Sequence, residues 1–255
     1  MSTTIAILSQ KGGTGKTTLT RSLAEGLRRS GLSVLAIDAD PQGNLSEYFG
    51  IPADAFPTLG EVLAGRERAV DAIHTGLAEA ELMRAGKIGR ELALRNALRE
   101  PKRRFDVILI DCPPTLGLLT VNALVAADRA ILSTQAEHFS EQGAEQAMEV
   151  IGLAKENLNP DLELLGLLLN IADMRTNHAR STLETMREQF GDLVFDTVIR
   201  RSIVYPESAR AATPIFEYRK RKSLDYARLT VEVLERLDYP AALAEAKAQL
   251  SRLGS

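Results

Sequence analysis

Residues 11–18 form an unbroken run, KGGTGKTT, whose types and spacing suit one chemistry, the holding of phosphate. Glycines at 12, 13 and 15 let the backbone turn tightly so that successive N–H groups face inward, and a following helix offers its positive end to phosphate oxygens. Lys16 then reaches the β- and γ-phosphates, and Thr17 places a hydroxyl on Mg²⁺. Thr14 and Thr18 complete the run. The ordinary loop, G-x-x-x-x-G-K-[ST], has glycine where this chain has Gln10, and a second lysine, Lys11, stands five positions before Lys16. Two aspartates supply the matching acid. Asp111 closes the apolar run VILID, where a carboxylate is held near Mg²⁺, commonly through water. Asp40 lies just past SVLAID in DADPQGN, where it approaches the γ-phosphate side and orients a water; alternatively Asp38 or Asp40 starts the Asp-Pro turn.

These residues need strands and helices to place them. Thr3–Ser9 is a short apolar run leading into the glycine loop, and Thr17–Ser30 has helical spacing at Leu19, Leu23, Ala24 and Leu27. Ser33–Asp38, Asp106–Asp111, Arg129–Thr134 and Leu162–Asn170 read as further buried strands. Gly117–Ala127, Ser140–Asn157, Asn177–Phe190 and Leu224–Leu237 read as helices. Strands alternating with helices predict an α/β fold: a single P-loop domain over residues 1–255, with a mostly parallel twisted sheet, helices on both faces and C-terminal helices over about 223–252. Ligands in such folds sit at the carboxyl ends of the strands. The stretch 58–104 is mostly helical and charged.

Composition narrows the classes. The 255 residues are 45% hydrophobic and 25% charged, which suits one substantial core. No stretch approaches the roughly 18 apolar residues of a spanning helix, and the amino terminus carries no basic-then-apolar leader, so a cytoplasmic protein is expected. The one cysteine, Cys112, cannot form an internal disulfide and reads as a small buried residue. His74, His138 and His178 lack metal spacing and read as structural or exposed. A net charge of −3 gives no global attraction to nucleic acid, so any such contact must come from a local patch.

KGGTGKTT, DADPQGN and FDVILIDCPPTLGLLTVNALVAAD together resemble the three diagnostic blocks of the ParA/Soj family of deviant Walker-A partition ATPases. The match spans residues 4–50 and 105–171 and continues more weakly to about 237. The resemblance implies ATP and Mg²⁺ as cofactors, a homodimer closed face to face around two nucleotides, non-specific binding of duplex DNA, a nucleoid-associated location, and a ParB-like protein that stimulates hydrolysis. It makes Lys11, Lys16 and Asp40 the catalytic set, with Lys11 reaching across the dimer to the partner's nucleotide and neutralising charge that develops in phosphoryl transfer. Residues 11–18 with Asn170, where relatives contact adenine, bind ATP. Thr17 and Asp111 hold the metal, and Cys112-Pro113-Pro114 shapes the turn.

Between residues 200 and 228 lie eight basic residues (Arg200, Arg201, Arg210, Arg219, Lys220, Arg221, Lys222, Arg228) against three acidic ones (Glu207, Glu217, Asp225), a local balance of +5. The first seven are the expected DNA contacts, since such clusters give affinity without sequence information; a solvated face is the blander reading. Lys102-Arg103-Arg104 is a second basic stretch. The chain departs from the family at TVIRRSIVY, where Soj-type sequences read TVIPRNVRL. It is also shortened around DAIHTGLAEAEL, so the sheet either lacks a strand or rebuilds it around Ala72-Ile73-His74. A helix-turn-helix extension before Thr3 is not expected, as in short partition ATPases. The rival expectation is an ATPase of the same design that positions a chemotaxis cluster or the division machinery. MinD-like membrane binding is disfavoured, because the tail AALAEAKAQLSRLGS offers little to a bilayer.

Overall fold

A computed structural model describes residues 2–9, 11–52, 54–73, 90–115, 117–139 and 141–254. Five strands, β1 (Thr3–Ser9), β2 (Val34–Asp38), β3 (Val107–Asp111), β4 (Arg129–Thr134) and β5 (Glu163–Leu169), pair in the order β2-β3-β1-β4-β5. Every pairing is parallel. A parallel sheet must be covered on both sides, which is why these strands are near-continuous Val, Ile and Leu runs.

The helices are α1 (Lys16–Arg29), α2 (Asn44–Tyr48), α3 (Leu59–Leu63), α4 (Ala93–Ala97), α5 (Leu118–Ala126), α6 (Glu141–Asn157), α7 (Asn177–Phe190), α8 (Val204–Arg210), α9 (Ile215–Tyr218), α10 (Leu224–Arg236) and α11 (Pro240–Gly254). Alternate strand residues divide the core. Ala6, Leu8, Ile108, Ile110 and Leu132 pack against α3 to α7, through Leu63, Leu94, Ala123, Ile151 and Met186 among others. Ile5, Ile7, Val107, Leu109 and Ile131 pack against α1 and α8 to α11, through Leu23, Tyr205, Phe216, Leu229 and Ala246.

Register positions the chemistry. Asp111 lies opposite both Ile7 on β1 and Asp38 on β2, so the carboxyl ends of three adjacent strands finish together beneath the glycine loop. The chain runs from β1 to one side of the sheet and, after β3, crosses to the other, leaving a crevice above β1.

The β5 edge is not left bare. Residues 194–200 lie along it: Phe195 N–H donates to Leu167 O at 2.9 Å, Ile199 N–H to Leu169 O at 3.1 Å and Ala172 N–H to Ile199 O at 3.0 Å. Arg236 fixes this segment, stacking 4.1 Å over Phe195 and donating to the carbonyls of Leu165 and Val194. Gly166 makes the approach possible, because a methyl there would sit 2.7 Å from Arg236 Nη1, Leu193 O and Phe195 Cε2. Covered edges of this kind block pairing with other chains.

Most element boundaries agree with the sequence expectations to within a residue. The alternative of a strand rebuilt around Ala72 and Ile73 is corrected: Ala69–Ala72 is a 3₁₀ turn with Ile73 as its carboxyl cap, and the expectation for His74 falls outside the described residues. Among the described residues no helix is long and apolar enough to cross a membrane.

Candidate functional site

β1 delivers the chain into the loop and α1 takes it out, with Gly13 and Gly15 at φ 78° and 77°, a region β-carbon residues avoid. The N–H groups of Gly12, Gly13, Thr14 and Gly15 donate to nothing among the described residues, while the carbonyls of Lys11, Gly13, Thr14 and Gly15 are held, the last by Leu19 N–H at 2.8 Å. Ser9 Oγ and Thr14 Oγ1 donate to Lys11 O at 2.8 and 3.4 Å, Gln135 Nε2 to Gly13 O at 2.8 Å, and Asn170 Nδ2 to Thr14 O at 2.9 Å. Carbonyls tied outward leave the amides facing in, which is an anion cradle.

Lys16 is buried with its Nζ donating to Ser9 Oγ at 2.6 Å. Burial lowers its pKa, against the opposing fields of Asp111, Cys112 and Asp40. Asp111 is 1% exposed. Thr20 Oγ1 donates to its Oδ1 at 3.3 Å, and its Oδ2 is buried without any hydrogen bond. Burial raises this carboxyl from 3.8 to about 7, with the Thr17 hydroxyl easing the shift and Asp38 adding to it. A bare, desolvated carboxylate oxygen beside a threonine hydroxyl is a hard donor set of the kind that takes Mg²⁺.

Asp38 and Asp40 divide the work of the next loop. Asp38 Oδ2 accepts both Ser46 N–H and Ser46 Oγ at 2.9 Å, and Asp38 Oδ1 accepts Asp40 N–H at 3.3 Å, so one buried carboxylate pins both ends of the segment carrying Asp40. Asp40 in turn accepts Gln42 N–H at 3.1 Å, starts the turn that Gly43 N–H closes on its carbonyl at 3.0 Å, and lines the cleft. Ser46→Ala removes one of the two bonds that Ser46 gives Asp38 and is expected to cost about 0.5–1.5 kcal/mol in urea unfolding, restored by Ser46→Thr. An unchanged midpoint would mean that the backbone bond alone holds α2.

The cleft encloses about 440 Å³ and is lined by residues 12–18, Asp40, Asn44, Tyr48, Pro114, Asn170, Ile171, Ser202, Tyr205, Pro206 and Tyr226. Asn170 is fully buried, and both its amide hydrogens are used, on Thr14 O and Ser133 Oγ. It braces the loop from beneath. Ile171 follows at φ 53°, a strained value for a β-branched residue, with its amide bonded to Asn170 Oδ1. Lys11 is exposed, and its ammonium has no partner among the described residues.

The expected DNA contacts fall into two groups. Arg200 pairs with the buried Asp225 at 2.6 Å and Arg201 with Glu137 at 2.7 Å, so both charges are locally balanced. Arg210 and the turn Arg219, Lys220, Arg221 and Lys222 are exposed with no ion pair among the described residues. Ser9, Ser133 and Gln135 at strand ends, and Tyr48, Tyr205 and Tyr226 in the cleft wall, were missed by sequence reasoning. A small polar residue closing an apolar strand was the available signal for the first two; nothing local marks the others.

A family model described as an AAA domain matches residues 2–164. The sporulation initiation inhibitor protein Soj of Bacillus subtilis is 37% identical over 245 residues, covering 91% of this chain and 97% of that protein. The chain belongs to the ParA/Soj family. Another ParA/Soj relative, the chromosome partitioning protein ParA of Caulobacter vibrioides, is 38% identical over 250 residues, covering 91% and 94%. Among solved structures, this ParA/Soj chain is similar to a cobyrinic acid a,c-diamide synthase of Mycobacterium smegmatis with bound ADP and magnesium, at 36% identity and TM-score 0.72 over 83% of this chain and 94% of that one.

Proposed function

We propose that the protein is an ATP-dependent dimerising switch, residues 1–255 acting as one unit, that binds DNA without sequence preference and hydrolyses ATP to drive chromosome or plasmid partition with a ParB-like partner. The observation that carries this reading is Asp111, a deeply buried carboxylate with one oxygen free of hydrogen bonds, close to Thr17 and Lys16 of an anion cradle. The relatives named for partitioning, and a neighbour solved with ADP and magnesium, support it.

Mg²⁺ held by Thr17 and Asp111 would supply positive charge to phosphate oxygens. The chain's own groups do the rest. Amides of residues 12–18 bind the phosphates, and Lys16, already desolvated, gives an ammonium whose charge is scarcely screened. Asp40 accepts a hydrogen bond from the attacking water through the carboxylate oxygen that its turn leaves free. Asn170 supports the loop under the nucleotide. The unpaired ammonium of Lys11 extends to phosphate bound by a second copy, so the triphosphate joins two protomers. Loss of the γ-phosphate releases them, as in other switches of this type.

The exposed turn Arg219–Lys222, with Arg210, is the DNA-facing surface, and Arg200 and Arg201 shape it through their ion pairs. Joining two such patches in a dimer raises avidity by about 10²–10⁴. Phosphate release by the purified protein, stimulated by duplex DNA and by a basic partner peptide, tests the reading, and no release under any of these conditions rules it out. Arg219→Ala with Lys220→Ala is expected to weaken DNA binding about tenfold for all sequences and to flatten the salt dependence by about two charges. Fluorescence anisotropy across a salt series measures both, and unchanged binding would place the DNA face elsewhere.

A further inference from the structure

The cleft and the basic turn are joined by one side chain. Tyr205 stands in α8 with its ring in the cleft wall, and its hydroxyl donates to the backbone carbonyl of Lys222 at 3.3 Å. Tyr226, the next cleft-wall ring, meets it edge to face at 5.1 Å between centroids and lies in the first turn of α10, directly after the basic turn. The turn is stiff within itself: Lys222 N–H donates to Arg219 O at 2.8 Å and Ser223 Oγ to Lys220 O at 2.6 Å. Its four cations therefore move as a set, and what the carbonyl of Lys222 does, they do. The base of α10 has a second tether, since Arg200 clamps Asp225 through both backbone and guanidinium. Arg201 N–H holds Ala172 O at 2.9 Å, two residues beyond the Asn170 that braces the loop.

We propose that Tyr205 is the positioning residue through which occupancy of the cleft is felt at the DNA-facing turn. This rests on the reading of Arg219–Lys222 as that face. A planar heterocycle entering the cleft meets the small part of the Tyr205 side chain, 7% exposed, that reaches the cleft wall, with the buried Tyr226 ring behind it. At 3.3 Å the hydroxyl bond to Lys222 is long for O–H···O, whose common distance is roughly 2.7–2.8 Å. Contact at the ring shortens it and seats the turn, with its four cations, firmly against α8. Without a ligand the bond is slack and the turn as a unit is held less firmly. The coupling is reciprocal, so DNA on the turn tightens nucleotide in the cleft by the same factor.

The test is Tyr205→Phe, which keeps the ring and removes the link. Affinity for a labelled duplex of arbitrary sequence is measured with and without a non-hydrolysable ATP analogue, at a saturating concentration established separately for each protein. The ratio of the two affinities is expected to fall by about three- to tenfold in the variant, and the gain in analogue affinity caused by DNA to fall equally, while the analogue-dependent dimer seen by light scattering persists. An unchanged ratio overturns the proposal, and so does an equal loss of affinity in both conditions, which marks a purely structural role. If the wild-type protein binds no DNA, or binds it equally with and without the analogue, the switch reading itself fails and takes this coupling with it. Hydrogen exchange on the wild-type protein gives an independent check: the analogue slows exchange over residues 219–223, and no slowing overturns the link.

Discussion

Asparagine at position 111 is expected to make the ligand-free protein more stable and, with Asp111 as the proposed metal ligand, to remove magnesium-dependent nucleotide binding. The carboxyl's pKa rises on folding from 3.8 to about 7, chiefly through burial, so between those values the folded chain holds a proton that the unfolded chain releases. The stability this group contributes is fully present below about pH 4 and is lost as pH rises towards 7. Above that, the fold carries an ionised, partly unbonded carboxylate at a cost on the order of 4 kcal/mol. Asp111→Asn removes the charge and keeps an oxygen for Thr20. Urea or thermal unfolding at pH 8 without magnesium should show a gain of about 1–3 kcal/mol, shrinking as the pH is lowered to 4. A destabilised variant at pH 8 would mean that the carboxylate is compensated in the folded state by something other than a metal. Tight binding of magnesium nucleotide by the variant would remove Asp111 from the site.

Alanine at position 11 has the opposite profile, silent in folding and severe in function. The side chain is exposed and its ammonium has no partner among the described residues, so unfolding should change by less than about 0.5 kcal/mol. The loop keeps Lys16, Thr17 and all its inward amides, and single protomers still take up ATP. What the substitution removes is the cation proposed to reach the second copy's nucleotide. Turnover should fall by at least about 10²-fold, the scale on which a single transition-state charge acts, and no ATP-dependent dimer should form in light scattering. A dimer that persists in Lys11→Ala would show that the subunits are joined by other means.

What was readable in the chain follows from distance along it. The strand, glycine loop and helix of residues 3–29 are local patterns, and so is an aspartate ending an apolar run; both stand where expected. The contacts that arrange the loop are not local. Gln135 reaches Gly13 across 122 residues and Asn170 reaches Thr14 across 156, joined only because β4 and β5 stack beside β1. No pattern within one segment announces such pairs. The same reasoning applies to Arg200, counted with the basic residues of 200–228 and expected to contact DNA: that Asp225, 25 residues on, folds against it is not visible locally. The cover that residues 194–200 make over β5 likewise rests on partners distant in the chain, the β5 carbonyls and Arg236 on α10.

Cys112 continues the β-ladder just past Asp111, with its amide bonded to Ile7 O at 3.2 Å and no exposure to water. Burial pushes its thiol well above the ordinary range, so an alkylating reagent can find a thiolate only when the sheet opens. It is the chain's one sulfhydryl. The rate at which it is labelled is therefore an intrinsic clock for opening of the centre of the protein, read without adding any probe. Whatever ligand settles over the strand ends should slow that clock by the factor it contributes to the folded population, which turns a chemical labelling rate into an affinity.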